Sequence, residues 1–61
     1  MKLVVVNKMT KCVGKLNSYY VVVRSRDGLY KVQISSSRYF RAKIGEKVTI
    51  TRSELAAGTE Y

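Results

Sequence analysis

The stretch Val21-Val22-Val23-Arg24-Ser25-Arg26-Asp27-Gly28-Leu29-Tyr30-Lys31-Val32-Gln33-Ile34 decides the fold. Two runs rich in β-branched and aromatic residues flank an Asp-Gly pair. That pattern marks a two-residue hairpin whose turn residues need positive φ. It predicts strands over residues 19–26 and 29–35. Counting outward from Asp27-Gly28 pairs Arg26 with Leu29, Ser25 with Tyr30, Arg24 with Lys31, Val23 with Val32, Val22 with Gln33 and Val21 with Ile34. Successive side chains point to opposite faces of a strand, so these pairs fall into two sets. One set, Tyr19, Val21, Val23, Ser25, Tyr30, Val32 and Ile34, reads as core. The other, Tyr20, Val22, Arg24, Arg26, Lys31, Gln33 and Ser35, reads as a basic outer surface.

Upstream, Lys2 to Asn7 reads as a strand, and Lys8 to Leu16 as a second strand or a continuation after a bend. Gly14 marks a bulge or the turn within residues 14–18. Leu3-Val4-Val5-Val6 is apolar on both faces, which places it centrally in the sheet or in a contact with another chain. Downstream, the serines at 35–37 suit a helix N-cap, and Tyr39, Phe40 and Ile44 fit helical spacing. A helical piece of one to two turns is favoured there over a strand with Phe40, Ala42 and Ile44 inward. Gly45 is a turn residue, and Glu46–Thr51 alternates as a strand with Val48 and Ile50 inward. Ser53 is the expected cap of a last short helical turn, in a tail that frays from residue 53 onward.

This order predicts an all-β chain: one five-stranded, partly open small barrel, with a short helical turn before the last strand. The SH3-like barrel is the first reading and the OB-like barrel the alternative. The segment Ile44-Gly45-Glu46-Lys47-Val48-Thr49-Ile50 resembles the Gly-acidic-x-Val stretch that opens a strand in many SH3-like and OB-type barrels. It also resembles the start of the ribosomal-protein-type KOW motif, but Thr51-Arg52-Ser53-Glu54 stands where that motif has further glycines. No family's binding residues are carried over. The 61 residues make a single domain, 1–61, with a small core. Net stability at that size is about a few kcal/mol.

Charge carries the functional reading. Twelve Lys and Arg face four Asp and Glu, with no His, for a net +8. So strong a field attracts polyanions. Apolar residues at 46% and the absence of Pro exclude a disordered basic tail. The single cysteine, Cys12, excludes an internal disulfide, and a reducing, cytoplasmic setting follows. The four-residue run Leu3–Val6 is too short for a signal-peptide core or a membrane helix, so no membrane partner is expected.

Nothing in the sequence supports catalysis or a cofactor. Metal sites need His, Cys and carboxylates at set spacings. A nucleophile needs a base, and none lies near Cys12, which reads as a small buried apolar residue. Gly14-Lys15 lacks the flanking residues of a phosphate loop. The chain is expected to bind rather than catalyse.

The cations fall into three groups: Arg24, Arg26 and Lys31 beside Tyr20; Arg38, Arg41 and Lys43 beside Tyr39; and Lys8, Lys11 and Lys15. Basic and aromatic residues together on a small barrel suit nucleic acid, DNA or RNA, with cations tracking phosphates and aromatics stacking on bases. The phosphate-binding candidates are Arg24, Arg26, Lys31, Arg38, Arg41 and Lys43, and the stacking candidates are Tyr20 and Tyr39. Tyr19 and Tyr30 are assigned to the core. The alternative is a protein-interaction module, such as a viral or mobile-element factor, that binds an acidic or strand-donating host protein. A homodimer is compatible with either reading.

Overall fold

The computed structural model describes residues 1–61. Five antiparallel strands form one sheet: β1 (Lys2–Val13), β2 (Leu16–Ser25), β3 (Gly28–Ile34), β4 (Lys47–Thr49) and β5 (Thr59–Glu60). Their order is β4-β1-β2-β3-β5, so β2 is central. Two short helices, α1 (Ser36–Arg41) and α2 (Arg52–Ala57), precede β4 and β5.

The β2–β3 hairpin forms where expected, with a different register. Ser25 pairs with Gly28, Arg24 with Leu29, Val23 with Tyr30, Val22 with Lys31, Val21 with Val32 and Tyr19 with Ile34. The turn residues are Arg26 and Asp27, not Asp27 and Gly28. Asp27 N–H donates to Ser25 Oγ at 3.2 Å. Gly28 alone takes the positive φ, 133°, which a side chain rarely adopts. The shift moves each partner by two positions, so both face sets survive while the individual pairs change. Arg24 now lies opposite Leu29 rather than Lys31, which removes a repulsive cross-strand pair.

β1 runs unbroken from Lys2 to Val13, so three strands precede the first helix rather than four. A bulge between Val5 and Asn7 leaves Val6 as the extra residue. The bulge reverses the phase of alternation. Leu3 and Val5 face the core before it, whereas Lys8, Thr10 and Cys12 take that side after it, opposite Val21, Tyr19 and Asn17. The apolar run Leu3–Val6 sits between β4 and β2, the central placement its two-sided character requires. Gly14 makes the β1–β2 turn with φ 60°.

The core is Val5, Val21, Val23, Val32, Ile34, Ala42 and Ile50, with Leu3, Tyr30, Tyr39, Val48 and Leu55 packed around it. Ser35 caps α1 by accepting from Arg38 N–H. Thr51, not Ser53, caps α2. Thr51 Oγ1 accepts from Glu54 N–H and Glu54 Oε1 accepts from Thr51 N–H, a complete capping box. β5 then adds to β3 through Tyr30 and Lys31.

The far end of the β1–β2 hairpin overruns this core, and residues 11–17 are all exposed. Cys12 is therefore exposed rather than buried, with its Sγ 3.5 Å from the Gly14 carbonyl. No helix is long and apolar enough to cross a membrane.

Candidate nucleic-acid interface

The outer face of the sheet follows from the registers. Val4 pairs with Lys47 on one side and with Arg24 on the other, and Arg24 with Leu29. Asn7 pairs with Val22, and Val22 with Lys31, which in turn pairs with Thr59. Met9 pairs with Tyr20 and Tyr20 with Gln33, while Lys2 pairs with Thr49 and Lys11 with Ser18. Lys2, Lys11, Arg24, Lys31 and Lys47 thus share one face, and no paired residue of that face is acidic. Every cross-strand neighbour of these cations is uncharged. Glu60, on the edge strand, pairs with Tyr30 and so belongs to the opposite side.

Among the sequence candidates, Arg24, Lys31 and Tyr20 come together on this face. Lys31 Nζ lies 5.0 Å from the Tyr20 ring centroid, in cation–π contact. Val22, between them in sequence, is fully buried although it belongs to the outer set. Arg26 occupies the turn at one end. It lines a cleft of about 710 Å³ together with Lys2, Asp27 and Arg52. Lys2, Lys11 and Lys47 were not among the candidates. The alternation over Glu46–Thr51 already turns Lys47 outward, but that it shares a face with Lys2 and Lys11 depends on the β1–β2 and β1–β4 registers, which no local sequence signal gives.

The second group behaves differently. Arg38 Nη1 donates to Glu54 Oε2, and Nη2 donates to the Thr49 carbonyl at 2.8 Å. This guanidinium fastens α1 to α2 and β4, and it is the one ion pair in the chain. Hydrogen bonds from Arg38 and from the Thr51 backbone hold the Glu54 carboxyl below its ordinary value. Arg41 and Lys43 remain exposed at the end of α1. A groove of about 380 Å³ brings Arg41 together with Lys47 across the β4 edge, with the acidic Glu46 in the same lining.

Of the third group, Lys11 joins the outer face and Lys15 lies in the exposed turn. Lys8 is turned to the core side by the bulge. Its Nζ donates to the Ala42 carbonyl at 2.9 Å and lies 4.2 Å from the Tyr39 ring centroid.

Tyr39, a stacking candidate, packs against the core instead of standing free. It belongs to an aromatic cluster with Tyr19 and Phe40, at centroid distances of 5.0 Å from Tyr19 and 5.3 Å from Phe40. Phe40 is the exposed member, with 70% of its surface accessible. It was not singled out because helical spacing alone groups it with Tyr39 and Ile44. On the folded helix Tyr39 turns inward and Phe40 out; α1 ends at Arg41, the C-cap Ala42 is buried, and Ile44 lies exposed in the following turn rather than on the helix.

No protein-family model, no curated protein and no solved structure matches this chain. The interface is read from its own residues.

Proposed function

We propose that the chain is a small, partly open, OB-like barrel that binds nucleic acid chiefly through phosphate contacts, without catalysing a reaction on it. One observation carries this reading: five cations and no acid on the outer face of a five-stranded sheet. Of the four acids, Glu54 is tied to Arg38, Glu60 belongs to the opposite side, and Asp27 and Glu46 line clefts at the ends of this surface, so its centre at Arg24 and Lys31 is unopposed. The position of α1, between the third and fourth strands, supports the OB-like type over the SH3-like one. OB-folds bind oligonucleotides on the face of strands 2 and 3. The corresponding strands here carry Arg24, Lys31 and Tyr20.

Arg24, Lys31, Lys47, Lys2 and Lys11 follow the backbone, while Tyr20 offers a ring for stacking. Arg26 and Arg41 extend the charged surface at its ends. A salt titration of oligonucleotide affinity tests the proposal. With about five phosphates neutralised, the log–log slope on single strands is about −3.5. A flat salt response, or no binding at about 50 mM salt, refutes it, because the phosphate term dominates affinity there. A specific protein partner that survives nuclease treatment would replace it with the protein-interaction reading.

A further inference from the structure

The outer face does not account for Phe40. An aromatic ring that stays 70% exposed forgoes the stabilisation of burial, about 1.5–3 kcal/mol for a side chain of this kind. It is nonetheless held by two aromatic contacts. Phe40 meets Tyr39 edge-on, at 5.3 Å and 84°, and Tyr19 at 5.7 Å and 60°. Tyr39 is anchored in turn by the core and by the Lys8 ammonium over its ring. A ring held in this way, with a free surface, loses little conformational entropy when a flat partner settles on it.

We propose that Phe40 is a base-stacking site for a single-stranded segment, distinct from the phosphate contacts of the outer face. The inference rests on the nucleic-acid reading above and adds the strand state of the ligand. Charge complementarity selects a nucleobase over an apolar protein side chain as the occupant. Arg41 and Lys43 flank the ring within three residues, and α1 holds no acid. The path is short. Tyr19 and Tyr20 are consecutive residues of β2 on opposite faces, and they pair with Ile34 and Gln33 of β3. β5 covers β3 only at Tyr30 and Lys31, and beyond it Gln33 is exposed while Ile34 is buried in the core, so this edge is free at Gln33. A flexible strand that leaves Lys31 and Tyr20 can pass over this edge and place a base on Phe40. A duplex cannot, because its bases are stacked and paired.

The chain has no tryptophan, so the Phe40→Trp variant carries a sole reporter at the site. Its emission is expected to be quenched when an oligothymidylate binds. The Phe40→Ala variant is expected to bind that oligonucleotide about tenfold more weakly, with an unchanged salt slope, because stacking releases no counterions. Duplex affinity should not change. Full single-strand affinity in Phe40→Ala, or unquenched emission from a bound Phe40→Trp variant, overturns the stacking site while leaving the phosphate face standing. Absence of any binding by the wild-type chain overturns both. A wild-type dimer that Phe40→Ala converts to a monomer in sedimentation would assign the ring to a contact between copies and overturn the proposal.

Discussion

The two sides of the sheet use the same basic residues for different ends. On the α1 side, Lys8 holds the Ala42 carbonyl and the Tyr39 ring, and Arg38 holds Glu54 and the Thr49 carbonyl. Those charges are fasteners. On the outer face, Arg24 lies between Val4 and Leu29, and Lys31 between Val22 and Thr59. No anionic side chain competes for them. A count of basic residues therefore overstates what a polyanion can reach. The difference between fastened and free cations defines the surface open to a polyanion better than the net charge does.

The largest effect should come from breaking the packed side. Ile50 is fully buried in the core cluster. Ile50→Ala should cost about 2–5 kcal/mol, comparable with the whole stability of so small a domain. Circular dichroism should show a largely unfolded chain at 25 °C, a temperature chosen as the usual reference for such costs. On the outer face, Arg24→Gln should alter stability by no more than about 0.5 kcal/mol. If both variants melt alike, the division between a packed side and a free side is wrong.

The second test separates the two kinds of cation by function. The double variant Arg24→Gln, Lys31→Gln removes two of the proposed phosphate contacts and should flatten the single-strand salt slope by about 1.4. Arg38→Gln should leave the slope unchanged, because Arg38 is already engaged. It should lower the melting temperature modestly instead. The Arg38–Glu54 pair is partly exposed, so its contribution is under about 1 kcal/mol. A changed slope in Arg38→Gln would return that residue to the phosphate set.

Face sorting was legible in the sequence because side-chain period is two. The error in the β2–β3 register moved partners by an even number and left the paired residues on their expected faces, while Arg26 moved into the turn and Ser35 became the α1 cap. The turn itself was misplaced because Asp-Gly chemistry is local, whereas the observed register also relieves Arg24 of Lys31 and closes an Asp27–Ser25 hydrogen bond. The α1 cap at Ser35 and the inward Val48 and Ile50 were legible from short patterns. The Val6 bulge was not. A break after Asn7 is expected as a bend, but that it is a bulge which reverses the faces, turning Lys8 inward and Lys11 outward, shows only in the pairing of β1 with β2. The exposure of Cys12 was hidden for the same reason, since only the tertiary fold shows where the core stops.

The smallest effect concerns Glu54, the anion that makes Arg38 a fastener. Its carboxyl is held below the ordinary glutamate value of 4.5, first by Arg38 and then by the Thr51 backbone hydrogen bond. A group whose folded-state value is depressed contributes stability that is complete above its unfolded value. That contribution is lost as the pH falls through the lower, folded one. The wild-type chain should therefore lose stability on acidification below 4.5, through α2 and its link to α1. Glu54→Gln keeps an acceptor for Thr51 but has no proton to gain. It should be less stable than wild type at neutral pH, and the gap should close in acid. Melting temperatures of both chains measured across that range check this. A gap that stays constant would mean that the carboxyl is not held by Arg38 in solution, leaving the guanidinium with the Thr49 carbonyl alone.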